Sequence, residues 1–163
     1  MKFIFSMPFL TCPPNPEFVT QEAVIALISA AEEAGFAGVS FTEHPMPDES
    51  WRQAGGHDDI DPFVGLSFAA AVTTRLRLLT YLCVAPYRNP FLLAKSVASL
   101  DALSGGRLIL GLGAGYQVSE YAALGVNFDE RNALFDETLE VLPLAWSGEP
   151  YRAYSPRARR RGR

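Results

Sequence analysis

The stretch from Thr80 to Tyr116, TYLCVAPYRNPFLLAKSVASLDALSGGRLILGLGAGY, constrains the fold more than any other part of the chain. Leu76, Leu78, Leu79, Tyr81, Leu82 and Val84 form a near-continuous apolar run, the pattern of a buried strand. Asn89 followed by Pro90 predicts a helix start, because the Asn side chain accepts from a first-turn N–H and proline lacks the donor that would be orphaned there. Ser104, Gly105 and Gly106 predict its end. A second apolar strand, Leu108 to Leu112, leads into Gly113, Ala114 and Gly115, where backbone can approach a ligand closely. Strand, helix and strand in this order make a βαβ unit, whose parallel strands place their C-terminal ends on the face where α/β folds bind ligands.

The rest of the chain repeats the unit. Phe3, Ile4, Phe5 and Met7 predict a first strand, followed by a proline-rich loop at Pro13, Pro14 and Pro16. A helix is predicted from near Thr20, with Val24, Leu27, Ile28 and Ala31 on one face, Glu22 in its first turn and Gly35 as terminator. Gly38 to Thr42 reads as strand two. A polar loop with Gly55, Gly56 and several acids leads to Asp61-Pro62, a second cap-and-proline signal, opening a helix through about Thr74. Residues 118 to 146 read as helical in two pieces, the second opening near Asp129 and presenting Leu134, Phe135, Leu139 and Leu142. Pro143 falls inside that piece, where proline removes a helix hydrogen bond. Such alternation over four units means a parallel sheet, either open and doubly wound or part of a (β/α)8 barrel. Prolines stand after strand one where a dinucleotide fold needs a phosphate-binding turn, which weighs against that fold.

The chain has 163 residues, 48% of them apolar, enough for one domain with a core. Lys2 and the run Phe3 to Leu10 are short, contain Pro8 and lack a small-residue cleavage site, so they read as a strand rather than a secretion signal. No stretch approaches the ~20 apolar residues needed to span a bilayer. Cys12 and Cys83 fit a reduced cytoplasmic protein better than a disulfide scaffold. The net charge of −4 is unevenly spread, because six of the twelve arginines follow Pro150. Residues 1–150 carry 8 Lys and Arg against 18 Asp and Glu, a balance that does not suggest a nucleic-acid surface. The basic tail, residues 151–163, has neither aromatic interleaving nor a helical period and reads as disordered, or as sequence out of frame or beyond a truncation.

In order and spacing, several segments resemble the luciferase-like flavin-dependent oxidoreductases, a superfamily of (β/α)8 barrels that includes bacterial luciferase and enzymes dependent on the deazaflavin F420. They are AAEEAGFAGVSFTEH at residues 30–44, DPFVGLSFAAAVTTRLRL at 61–78, the run from Pro86 to Lys95, LDALSGGRLILGLGAGY at 100–116, EYAALGVNFDER at 120–131, and LAWSGEP at 144–150. The resemblance covers residues 1–150. A full barrel needs about 250 residues, so the chain resembles an N-terminal half, an incomplete (β/α)8 barrel of about four βα units with a parallel sheet.

The resemblance implies a site at the strand ends. It places His44, beyond strand two, beside a flavin ring, where an imidazole can donate to an oxygen or move a proton. Glu43 either orients His44 or is structural. Leu82 and Cys83 fall where family barrels carry a bulge, often with a non-proline cis peptide, behind the ring. Gly113, Ala114 and Gly115 would admit the ring, and Tyr116 would stack or hydrogen-bond. Sugar-phosphate dehydrogenases of the family carry a carboxylate at the position of Tyr116, which disfavours that substrate class here. Arg88 and Asn89 read as loop-orienting and capping residues, Arg107 as a structural ion-pair partner and His57 as solvated. No metal-ligand spacing is present.

The implied function is that of an oxidoreductase or monooxygenase using FMN or F420 on a small organic substrate, by hydride transfer or oxygen activation. No nucleic-acid or membrane partner is expected, and a homodimer of half barrels is possible in principle. The alternative is a truncated, non-catalytic fragment that binds flavin or is inactive, because barrel phosphate sites commonly come from loops after strands seven and eight.

Overall fold

The structure, a computed structural model, describes residues 1–8 and 16–148. Cys12, Pro13, Pro14 and the basic tail lie outside the described residues. β1 (Ile4–Ser6) is followed by a 3-10 turn at Pro16–Phe18 and by α1 (Gln21–Glu33), which Thr20 opens by accepting the Ala23 N–H at 3.2 Å. After β2 (Gly38–Phe41) the segment read as a polar loop contains a short helix, α2 (Glu49–Gln53), capped by Asp48 Oδ1 at 2.8 Å from the Trp51 nitrogen. α3 (Pro62–Val72) starts at the expected Asp61-Pro62 signal, with Asp61 Oδ1 accepting from the Phe63 and Val64 N–H groups at 2.9 and 3.1 Å. β3 (Arg77–Thr80) and β4 (Cys83–Val84) precede α4 (Pro90–Ser104), whose cap is Asn89, 2.9 Å from the Phe91 nitrogen. β5 (Leu108–Ile109), β6 (Leu112–Gly113), α5 (Val118–Ala123) and α6 (Arg131–Trp146) complete the order, and α6 runs through Pro143.

All strand pairs are parallel. β1, β2, β3 and β5 form one sheet in that order, and β4 pairs with β6 beyond it. Each of the two strands predicted around the central helix is therefore split, and both break at the same level. Thr80 causes the break by inserting its hydroxyl into the ladder, donating to the Gly111 carbonyl at 2.8 Å and accepting the Gly111 N–H at 2.9 Å. The Cys83 N–H then takes the same carbonyl at 2.9 Å, and the Tyr81-Leu82 peptide between β3 and β4 is cis. Gly111 must lack a side chain, since a Cβ there would stand 2.3 Å from the Thr80 carbonyl oxygen. Among the described residues β1 and β5 each have one neighbour, so the sheet is open. The architecture is the expected α/β one, with four βα units and a parallel sheet.

Two apolar clusters hold the layers together. Val24 and Ile28 of α1, Val39 and Phe41 of β2, Leu66 of α3 and Leu78 of β3 pack in the first; Cys83, Leu93, Ala94, Val97 and Leu142 pack in the second, between β4, α4 and α6. Burying one such leucine stabilises the fold by roughly 1.5–3 kcal/mol. Leu139, expected on the inner face of α6, is 46% exposed, and Val141 takes the buried place instead. Arg107 is not an ion-pair partner among the described residues. Its guanidinium donates to the carbonyls of Ala70, Leu76 and Ser104 and to the Thr73 hydroxyl, at 2.8–3.1 Å, and so closes the end of α3. Across the same turn Glu32 accepts the N–H groups of Thr74, Arg75 and Leu76; burial opposes its ionisation, but these bonds and Arg75 hold its carboxyl below the usual range. No helix among the described residues is long and apolar enough to cross a membrane.

Candidate functional site

Beyond the ends of β2, β4 and β6 lies a cavity of about 400 Å³, a size typical of small-molecule sites. The split strands shape it, because β4 and β6 carry Leu82, Val84 and Gly113 to its floor. The absent side chains at Gly113 and Gly115 first make room for protein: a Cβ at Gly113 would stand 2.7 Å from Leu82 Cδ1, and one at Gly115 2.6 Å from Val84 Cγ1. Gly115 also has φ +70°, which glycine adopts without penalty. Leu82, Gly113, Ala114, Gly115 and Tyr116 all line the cavity, as the resemblance implies. Cys83 does not. Its side chain points into the second apolar cluster, where burial and the nearby Glu43 charge push the thiol up to about 12 despite Arg88. A thiol so placed is a packing group, not a nucleophile.

Thr42, Glu43 and His44 follow β2 and all border the cavity, but their polar atoms take different partners. Glu43 accepts the Val84 N–H and the Arg88 guanidinium, each at 2.5 Å. Burial pushes its carboxyl up, and Arg88 and the Val84 N–H oppose the shift. Arg88 also reaches Asp61 at 3.3 Å and the Cys83 sulfur at 3.0 Å, so the Glu43–Arg88 pair joins β2, β4 and the start of α3. Among the described residues no hydrogen bond or ion pair joins Glu43 to His44.

His44 is nine-tenths buried, and its Nδ1 lies 3.4 Å from Glu120 Oε1 of α5. Glu120 is itself 1% exposed; its Oε1 is 3.3 Å from the Met46 nitrogen, and its Oε2 accepts the Tyr87 hydroxyl at 2.8 Å. Burial first, and then the Glu120 charge, raise the Tyr87 hydroxyl well above the usual phenol range, so it remains a donor. Tyr87 stacks edge-on against Tyr121, whose hydroxyl donates to the Ala114 carbonyl.

The other side of His44 is covered by the α2 segment. Trp51 and His57 approach the His44 ring with centroids at 4.5 and 4.9 Å, and Tyr116 lies at 6.2 Å. His57 is therefore not solvated as its glycine- and acid-rich surroundings imply. Two clips hold the segment: Asp59 takes the Thr42 N–H and hydroxyl at 2.7 and 2.6 Å, and Ser119 donates to Asp48 at 3.0 Å. Burial and then the neighbouring His44 hold the His57 imidazole below its ordinary value, which favours its neutral form. Glu120, Tyr87, Trp51 and His57 are not legible in sequence as partners of His44, since each lies at least seven positions from it; Tyr87 and Glu120 fall within segments that carry the resemblance, but nothing in those segments links them to His44. No group of His, Cys, Asp and Glu side chains among the described residues is placed to hold a metal ion.

A cavity at the C-terminal ends of parallel strands, lined by His44 and His57 among others, lies where α/β barrels bind their ligands. The profile of the luciferase-like monooxygenase family matches residues 1–162, and the chain belongs to that family. It is 36% identical over 112 residues to an uncharacterized protein of Sinorhizobium fredii, covering 69% of this chain and 30% of that one. To an F420-dependent glucose-6-phosphate dehydrogenase of Beutenbergia cavernae it is 36% identical over 131 residues, covering 77% of this chain and 37% of the other. The solved structure of a monooxygenase from Streptomyces bottropensis superposes with a TM-score of 0.76 at 31% identity, over 91% of this chain and 44% of that one. The FMN-bound oxygenating constituent of 3,6-diketocamphane monooxygenase from Pseudomonas putida superposes at 0.81 with 19% identity, over 97% and 42%, and speaks for the fold alone. The chain thus spans about a third of the curated relatives named here and under half of these solved ones.

Proposed function

We propose that the cavity is the bed for the tricyclic ring of FMN or F420, and that the chain carries this part of an oxidoreductase acting on a small organic substrate, with His44 as its proton-handling group. The observation that carries this reading is His44, nine-tenths buried and paired with a buried carboxylate, on the wall of a cavity that Leu82, Val84 and a glycine-rich turn also line. The fit is that of a ring rather than of a phosphate. Aliphatic side chains offer a flat apolar surface, Tyr116 an aromatic edge, and Gln117 carries a buried amide nitrogen with no hydrogen-bond partner, matching a ring carbonyl. Among the described residues no lysine or arginine lines the cavity, so no cationic side chain there is offered to a phosphate.

Such a ring, once bound, accepts or delivers a hydride. The chain's own residues do the rest: Leu82 and Val84 support one ring face, Tyr116 and Trp51 exclude water from His44, and His44 takes or returns a proton at a substrate oxygen. The relatives support both cofactors, one being described as F420-dependent and one solved with FMN.

The test is to mix purified protein separately with FMN and with F420, remove free cofactor by gel filtration and record the absorption spectrum. Retention of one cofactor is expected, and retention of neither by folded protein overturns the reading. In protein that turns over, His44→Ala should lower kcat by about 10²–10⁴-fold with the circular dichroism unchanged, whereas an unaffected rate would remove His44 from the chemistry.

A further inference from the structure

We propose that Glu120 is the positioning residue for His44, holding the proton on Nδ1 so that the unprotonated Nε2 faces the cavity as a proton acceptor. The proposal rests on the reading of His44 as the proton-handling group and adds the carboxylate that sets its tautomer. Histidine nitrogens are not equivalent, and the partner of one decides what the other can do. His44 Nδ1 is buried with no hydrogen bond formed, and Glu120 Oε1 lies 3.4 Å from it. That separation is longer than a formed hydrogen bond, as is common at catalytic histidines in the absence of substrate. A donor left there without an acceptor would carry the full cost of desolvation, so closing those few tenths of an ångström is favoured.

Glu120 is itself held from two further sides. Tyr87 donates to Oε2 at 2.8 Å, and the Met46 N–H points at Oε1 from 3.3 Å. Both oxygens therefore face donors, the arrangement expected of an acceptor-only carboxylate. The anchors come from three separate places: α5, the turn after β2 and the 3-10 turn at Ala85–Tyr87. The carboxylate consequently cannot swing away from the imidazole without breaking two other bonds. A carboxylate locking an imidazole this way is the arrangement that orients metal-bound and triad histidines. The other groups facing the ring, Trp51, His57 and Tyr116, offer no carboxylate to Nδ1.

The chain has two histidines, so nitrogen-15 labelling resolves them completely, with His57→Asn assigning the pair. Long-range proton–nitrogen correlation at a pH where both rings are neutral reads the tautomer directly and needs no cofactor. The wild-type protein should show His44 as the Nδ1–H form. Glu120→Met should shift it toward the Nε2–H form that a free imidazole side chain prefers, changing the tautomer ratio at least several-fold. Tyr87→Phe, which loosens Glu120 without removing it, should leave the tautomer in place. A wild-type His44 found as Nε2–H overturns the proposal without any variant, as does a folded Glu120→Met protein with an unchanged tautomer. If the tautomer is as expected but neither FMN nor F420 is retained, the cofactor reading fails and the Glu120–His44 assignment stands.

Discussion

Between β1, β2, β3 and β5 the layers meet through apolar side chains, Ile28, Phe41, Leu66 and Leu78 among them, with no charge inside. A few ångströms further along the same strands, around β4 and β6, the interior contains Glu43 paired with Arg88, Glu120 under Tyr87 and the Thr80 hydroxyl inside the ladder. The apolar end closes by volume, and many side chains of similar shape would serve it. The cavity end closes by matched donors and acceptors, and each group there depends on one particular partner. The proposed site lies at the end that tolerates less, where a proton-handling group would have to be dehydrated and held at once.

The contrast can be broken most forcefully at Arg88. Arg88→Met leaves Glu43 buried without its cation and should cost about 3–5 kcal/mol in a urea melt, while Leu66→Met at the apolar end should cost less than about 1.5 kcal/mol. Adding Glu43→Gln to Arg88→Met should return part of the loss; equal losses at the two ends would dissolve the contrast. Thr80→Val keeps the shape but leaves the Gly111 N–H without its acceptor, and should cost about 1–3 kcal/mol, with the first change appearing in amide exchange at Gly111 and Cys83. The smallest effect concerns acid. His57 is held below its unfolded value of 6.5, so the unfolded chain binds the extra proton first. The stability contributed by neutral His57 is complete above that value and declines as the pH falls through it. The melting temperature should therefore drop between about pH 7.5 and about pH 5.5, with a shallower slope in His57→Asn.

What could be read from sequence follows the same division. Thr20, Asp61-Pro62 and Asn89-Pro90 marked three helix starts correctly, because a cap is a contact between residues two or three apart. The continuous apolar runs announced two buried strands yet concealed where they split, since a strand apolar on both faces has no alternation for a break to interrupt. α2 was hidden because five residues with Trp51 as their one apolar side chain make no periodic apolar face. His44 was legible only through the resemblance, and Glu120 not at all, for the pair is joined across 76 positions by folding alone. Arg107 reads from sequence as an ion-pair partner yet meets carbonyls and a hydroxyl, because a guanidinium does not announce which acceptors folding will bring to it.

Glu32 and Arg107 close the turn between α3 and β3 from opposite directions in the chain, Glu32 from 42–44 residues before and Arg107 from 31–37 residues after the groups they hold. That turn stays unsealed in a growing polypeptide until residue 107 has been made. The first three strands are thus committed late, as one batch with the fourth, and the contacts that commit them are long-range ones of the kind that slow folding.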